Sequence, residues 1–319
     1  MTQSLAFGPV PSRRLGRSMG VNNVPPKVCT FSCVYCQLGR TMEMGTDRRD
    51  FFSPESIFRE VSAHIGAAKR SGERVDFLTF VPDGEPTLDR NLGKDMDILR
   101  KLGTPIAVIT NSSLIHRGEV REELSGADWV SLKVDAVSEP TWRKVDRPDR
   151  HLDLERILDG IGEFADIFQG ELVIETMLVR GVNDSGEELE RVADFLKGIS
   201  PDLCCLSVPT RPPAESWVEP PVEEDLNRAY QLFRSRGMNV EMLTGYEGST
   251  FASTGDAEED LLGITSVHPM REDAVEDFLQ GAGEGWSLVD ELTDRGEMVR
   301  SDFGGHTYYL RRLRRVPRR

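Results

Sequence analysis

The chain has little cysteine, with only five in 319 residues. So small and odd a number argues against a secreted disulfide framework and for a reducing cytoplasm. No run approaches the roughly 18 apolar residues of a membrane span, so no membrane partner is expected. The N-terminal MTQSLAFGPVPSRRLG lacks the apolar core of a signal peptide. Positive charge is also short: 39 Lys and Arg face 54 Asp and Glu, a net charge of −15. Such a chain is a poor general binder of polyanions. Its last nine residues, RRLRRVPRR, are the exception, with six arginines and no acid. They read as a solvated tail or as a contact for nucleic acid or a partner. No internal repeat is found.

What is present is an alternation. Short β-rich runs at 75–81, 105–111, 128–136, 171–179 and 203–209 follow a less distinct one at 18–24. Amphipathic segments separate them. One opens on Ser53-Pro54, a cap and a first-turn proline, with Ile57, Phe58, Val61 and Ile65 on one face. Another follows Asn183-Asp184-Ser185, with Leu189, Val192, Ala193 and Leu196 as its stripe. Strand, helix, strand means parallel strands with right-handed crossovers. About six such units fit a doubly wound sheet or an incomplete barrel, and both carry their chemistry at the C-terminal strand ends.

Three of the five cysteines fall within KVCTFSCVYCQLGRT: Cys29, Cys33 and Cys36, spaced C-x3-C-x2-C. Zinc takes four ligands, usually in two pairs. The other thiols, Cys204 and Cys205, lie in a different strand, so a zinc site would need a histidine. Three thiolates can instead hold three irons of a four-iron cluster and leave the fourth open.

C-x3-C-x-aromatic-C, with Tyr35 as the aromatic, resembles the signature of the radical S-adenosylmethionine (SAM) superfamily. The resemblance implies a partial (β/α)6 barrel. It implies a [4Fe–4S] cluster on Cys29, Cys33 and Cys36, SAM on the open iron and Tyr35 near the adenine. It also implies a 5′-deoxyadenosyl radical that abstracts hydrogen, and an electron donor such as a flavodoxin or ferredoxin. Further segments fit it. DGEPT, Asp83 to Thr87, stands where the family carries Gly-Gly-Glu, which makes Gly84 and Glu85 the expected partners of the SAM ammonium. Thr110-Asn111 stands where the family often has Thr-Asn-Gly. In the fourth strand Ser131, Lys133 and Asp135 share a polar face opposite Val130, Leu132 and Val134, and are candidates for SAM ribose or substrate contacts.

The strings GPVPSRRLGRSMGVN, YCQLGRT, GEPTL, VDRP and RGVND resemble one subgroup, grouped with the archaeal wyosine-forming tRNA enzymes. This makes a tRNA base a candidate substrate. Those enzymes are expected to bind a second cluster through three more cysteines. Here only the adjacent Cys204 and Cys205 remain, on opposite faces of a strand, so one cluster is expected. A glycyl-radical activase acting on a partner protein and a small-molecule or peptide-modifying enzyme are the alternatives. Arg13, Arg14 and Arg40 are candidates for holding carboxylate or phosphate groups.

From Tyr246 the texture changes. Residues 246–260 read as a linker after a 1–245 barrel. Residues 261–319 read as a winged-helix-like domain: helices at 271–279 and 287–295, then a hairpin turning at Gly304-Gly305. Its second helix carries Asp290, Glu291, Asp294 and Glu297, which repels phosphate. Arg300, His306, Arg311, Arg312 and Arg314 of the wing and tail are the better RNA contacts.

Overall fold

The computed structural model describes residues 4–81, 83–245, 251 and 255–312. In chain order these form β1 (Ala6–Ser12), β2 (Gly16–Val21), β3 (Val28–Cys29), β4 (Glu43–Met44), α1 (Pro54–Arg70), β5 (Phe77–Phe80), α2 (Leu92–Leu99) and β6 (Ile106–Thr110). Then come α3 (Gly118–Leu124), β7 (Trp129–Lys133), α4 (Glu139–Val145), α5 (Leu154–Ile167), β8 (Glu171–Met177), α6 (Gly186–Ile199), β9 (Leu203–Ser207), α7 (Glu223–Ser235) and β10 (Val240–Leu243). The remainder is α8 (Ala257–Val267), β11 (Met270–Arg271), α9 (Glu272–Ala282), α10 (Ser287–Asp294), β12 (Met298–Phe303) and β13 (His306–Arg311).

The large sheet runs β1-β2-β5-β6-β7-β8-β9-β10. Every neighbouring pair is parallel except β1 with β2. The six expected parallel strands are all there. Beyond them the sheet gains the parallel β10 and the antiparallel edge β1. β10 escapes a pattern search because VEML has buried ends and an exposed middle. Both helices singled out in the sequence form as expected. The Ser53 hydroxyl caps α1, which buries Ile57, Val61 and Ile65; Ser185 caps α6, which buries Leu189, Val192, Ala193 and Leu196.

The sheet's two faces differ. Val130 and Leu132 of β7 join the main core under the helices. On the other face, Leu15, Ala107, Trp129, Val173, Cys205 and Leu243 form a separate apolar cluster. The register sets Lys133 opposite Glu175. The inner face therefore begins apolar at the strands' N-terminal ends and becomes polar towards their C-terminal ends, where the loops gather.

The last 56 described residues, from 257, form three helices and an antiparallel sheet in the order β11-β13-β12. They have a core of their own, which includes Leu261, Ile264, Val275, Phe278, Leu292 and Tyr309. The hairpin turns at Gly304 and Gly305, whose φ values of 57° and 78° suit glycine. Residues 257–260, expected in the linker, are instead the first turn of α8, capped by Asp256 and rich in acid that complements the helix dipole. Of that stretch, 246–250 and 252–254 lie outside the described residues, as does Arg314 of the tail. The Tyr308 hydroxyl donates to the Thr210 carbonyl at 2.8 Å, and Arg211 meets His268 at 2.9 Å. Burial, then the Arg211 charge, holds the His268 ring well below its usual pKa, so it stays neutral and accepts from the guanidinium.

Candidate active site

The loop from β3 to β4 carries the three clustered cysteines. It is held by the residues between them. Phe31, Val34 and Tyr35 are buried, while all three thiols are half-buried. Phe31 packs edge-on to Trp142 at 5.8 Å. The amides of Ser32 and Val34 donate to the carbonyls of Asp146 and Val145. C-T-F-S-C-V-Y-C thus alternates anchors with thiols, and that is why the cysteines share a loop without becoming core.

The loop after β5 crosses close to this one. The Glu85 amide donates to the Val28 carbonyl at 3.0 Å, and the Lys27 amide to the Asp83 carbonyl at 2.7 Å. A Cβ on Gly84 would stand 2.0 Å from the Val28 oxygen, so only glycine allows the two loops to touch. Glu85 is buried and turned inward. Its Oε1 accepts from the Thr87 amide, the Thr87 hydroxyl and the Thr110 hydroxyl at 3.0, 2.6 and 2.6 Å. Its Oε2 accepts from the Asn111 amide at 2.8 Å. Asn111 in turn reaches Thr30 at 2.8 Å and the Cys29 sulfur at 3.5 Å. One carboxylate therefore ties the ends of β5 and β6 together, beside the cysteine loop. Asp83 is also buried. Its Oδ1 has no hydrogen-bond partner among the described residues, and burial raises its pKa to about 7.

The β7 residues lie on the other side of Tyr35. The Tyr35 hydroxyl donates to Asp135 and lies 3.3 Å from Asp146. Lys133 sits 5.0 Å from the Tyr35 ring and donates to Glu175 at 3.1 Å. Arg14 holds the other Glu175 oxygen at 2.6 Å, and the Ser207 hydroxyl donates to the first at 3.0 Å. Burial pushes the Glu175 carboxyl up, but the Lys133 and Arg14 charges outweigh it and hold it well below the carboxylate range. Burial likewise works against the Lys133 ammonium, and Glu175 and Asp135 overcome it, so Lys133 stays charged. Burial, then the Asp135 charge, pushes Asp146 well up. Ser131 is buried one step below this cluster.

The candidates from sequence thus fall into two adjoining groups: Cys29, Gly84, Glu85 and Asn111 in one, Tyr35, Lys133 and Asp135 in the other. Arg14 joins the second. Arg40 does not; it pairs with Glu215 at 2.8 Å. Cys205 belongs to the inner apolar cluster and lies beside Arg14 and Glu175, whereas Cys204 meets Met238 at 3.4 Å in the core under the helices. Glu175, Asp146 and Lys27 were not singled out. Glu175 had a signal, being an acid in step with Val173 after the apolar run Leu172–Ile174 of β8. Asp146 and Lys27 had none, because their places depend on a fold-back of the loops.

Two of the three thiols, Cys29 and Cys33, lie in surroundings that oppose a free thiolate. Burial, and then Glu85, pushes Cys29 up to about 12; burial, and then Asp146, pushes Cys33 well up. Such thiols do not ionise at neutral pH unless a cation binds them. Among the described residues no three His, Cys, Asp or Glu side chains converge on one ion-sized point. A [4Fe–4S] cluster, if held here, would take one thiolate from each of Cys29, Cys33 and Cys36.

Comparison with known proteins agrees. The model of the radical SAM superfamily matches residues 23–196. Over 313 residues the chain is 42% identical to the UPF0026 protein of Methanocaldococcus jannaschii, covering 98% of this chain and 97% of that one. A radical SAM methyltransferase from Sphaerobacter thermophilus superposes with a TM-score of 0.55 at 18% identity, over 71% of this chain and 66% of its own. The structure of TYW1 with a lysine–pyruvate adduct bound gives 0.53 at 15% identity, over 69% and 73%. These two likenesses are of fold. With the superfamily match spanning the cysteine loop and the strands that surround it, the chain belongs to the radical SAM superfamily of enzymes.

Proposed function

We propose that the chain binds a single [4Fe–4S] cluster through Cys29, Cys33 and Cys36, binds SAM beside it, and modifies a base in tRNA. When bound, the cluster and SAM supply a 5′-deoxyadenosyl radical that abstracts hydrogen, with electrons from a flavodoxin or ferredoxin. The observation that carries the reading is the lock between the cysteine loop and the loop after β5, built from Gly84, Glu85 and Asn111. It holds the cysteine loop against the C-terminal ends of β5 and β6, which supports a cluster with SAM beside it at that end of the sheet. Glu85 already accepts four hydrogen bonds, so its part is to shape the loop at Gly84 beside which the SAM ammonium would lie. Lys133, kept charged by Glu175 and Asp135, suits the SAM carboxylate, and Tyr35 is steadied by Asp135 and Asp146. Ser131 lines the floor below.

The order helix, strand, helix, helix, strand, strand from residue 257 supports a winged-helix-like module, which starts at α8 and shortens the linker. The acidic α10 keeps it from inserting in a groove, and leaves the hairpin arginines for contact. Resemblance to the tRNA-modifying subgroup is the support for the substrate. Thiols as the cluster's only protein ligands suit a reducing cytoplasm. Among the described residues no helix is long and apolar enough to cross a membrane.

The test is anaerobic reconstitution with iron and sulfide, then reduction with SAM and chromatography. Wild type is expected to form 5′-deoxyadenosine, and Cys33→Ala to form none. A reconstituted wild type that forms none, and whose reduced-cluster EPR spectrum is unchanged by SAM, would overturn the assignment.

A further inference from the structure

Residues 208–222, between β9 and α7, form no helix or strand. Five of them are proline: Pro209, Pro212, Pro213, Pro220 and Pro221. Their fixed φ makes this strap stiff. It is fastened on two sides. On one side lies the C-terminal module. The Tyr308 hydroxyl donates to the Thr210 carbonyl at 2.8 Å, and the Arg211 guanidinium donates to His268 Nε2 at 2.9 Å. On the other side lies the cysteine loop. A second nitrogen of Arg211 donates to the side-chain oxygen of Gln37 at 2.9 Å, and Gln37 directly follows Cys36. The Glu215 amide donates to the Val34 carbonyl at 3.0 Å, between Cys33 and Cys36. The Glu215 carboxylate accepts two bonds from Arg40, at 2.8 and 3.1 Å, and one from Arg147 at 2.5 Å. Arg147 has a φ of 47°, uncommon for a residue other than glycine. Its carbonyl accepts from the Ser32 amide at 3.2 Å.

The two ends of the cysteine loop thus have different anchors. Cys29 lies in β3, where Glu85 bonds to Val28 and Asn111 reaches the sulfur. The segment from Val34 to Arg40, which carries Cys36, meets the strap at Val34, Gln37 and Arg40. A cluster held by three thiolates needs them at one fixed spacing, and that spacing depends on both sets of anchors. We propose that Arg211 and Glu215 are positioning residues for the cluster. They fix the Cys36 corner of the three-thiol loop, and Arg211 makes that corner depend on the C-terminal module, which the same guanidinium holds. Arginine suits the task because its planar fork serves two acceptors at fixed angles, where lysine offers a point charge. The inference rests on the radical SAM reading and adds a use for the C-terminal module that needs no contact between the module and SAM.

The experiment uses the full chain without metal, anaerobically and at one pH. Alkylation of each of the five cysteines by iodoacetamide is followed by mass spectrometry. The variants are Arg211→Met, Glu215→Gln and the double variant Tyr308→Phe/His268→Leu, which cuts the module's two bonds to the strap. Cys36 is expected to react about tenfold faster in Arg211→Met, which loses two hydrogen bonds from a charged group, and several-fold faster in the other two. Cys29 should keep its wild-type rate. Losing a positive charge favours the thiol and slows alkylation, so a faster Cys36 reports exposure. Cys204 and Cys205 are buried; they report on the whole fold and should stay slow. After reconstitution, a chelator should strip iron faster from each variant than from wild type. The proposal fails if Cys36 keeps its wild-type rate in Arg211→Met and Glu215→Gln, if all five cysteines accelerate together, or if the double variant leaves Cys36 unchanged. Alkylation does not depend on the cluster, so the two readings fail separately. A wild type that forms 5′-deoxyadenosine, with variants that alkylate like it, refutes the strap alone. A faster Cys36 in the variants, with no deoxyadenosine from wild type, leaves the strap as the anchor of Cys36 and overturns the radical SAM reading.

Discussion

Replacing Glu85 by Gln separates a residue that builds the site from one that grips SAM. The carboxylate accepts four hydrogen bonds, two from backbone amides at Thr87 and Asn111. An amide has one acceptor oxygen. If that oxygen keeps the Thr87 side, the new NH2 group faces the Asn111 N–H; if it flips, the Thr87 N–H is stranded. Either way one buried backbone donor loses its acceptor, at about 1–3 kcal/mol, and a charge-assisted bond goes with it. Burial has already raised the Glu85 pKa despite those bonds, so removing the charge returns part of the cost. The net expectation is about 1–3 kcal/mol of destabilisation, read as a lower urea midpoint at unchanged slope. SAM affinity should fall with it, because the strand ends are no longer tied. Should Glu85→Gln unfold like wild type yet lose SAM binding, the carboxylate contacts the ligand directly and the clip argument is wrong.

Two further predictions concern buried acids. Asp95 is buried beside Asp89, to which its carboxyl can hydrogen-bond when protonated; burial, then the Asp89 charge, raises its pKa to about 9. A carboxyl with a raised native pKa stabilises most below its unfolded value and loses that contribution as pH climbs through the native one. Asp95→Asn should therefore flatten the stability–pH curve between about pH 4 and 9, measured by urea titration; an unchanged curve would show that Asp95 is charged in the fold. Glu188, in the first turn of α6, accepts from the amides of Val137 and Ser138 at 2.9 and 3.0 Å. Glu188→Ala strands both, so a loss of about 2–4 kcal/mol is expected, and hydrogen exchange at Val137 and Ser138 should accelerate; slow exchange there would mean that other groups take over.

How much could be read without coordinates follows from the range of each cause. Helix α6 was legible because its cap, its stripe and its first-turn acids all lie within about 15 residues. The parallel order was legible because crossover handedness constrains strand–helix repeats. The cysteine spacing named the chemistry because three ligands on one short loop keep their relation wherever the loop goes. Helix α8 was hidden because its acidic first turn looks like linker, and its apolar residues gain meaning only against β1 and β13. Glu85 was legible as a candidate for the site but not as an inward clip; that role needs β5 and β6 side by side, so that Thr110 and Asn111 arrive at its two oxygens.

The sequence by itself determined the alternating architecture, the three-thiol loop and the polar face of β7, since periodicity and spacing are local. The tertiary structure alone decided that Glu175 and Asp135 hold Lys133 charged, that Cys205 ends beside Arg14 and Glu175, and that the hairpin arginines line a cleft beside the cysteine loop. Each of these depends on residues far apart in the chain meeting at one place, and only the packing of the sheet, its loops and the C-terminal module brings them together.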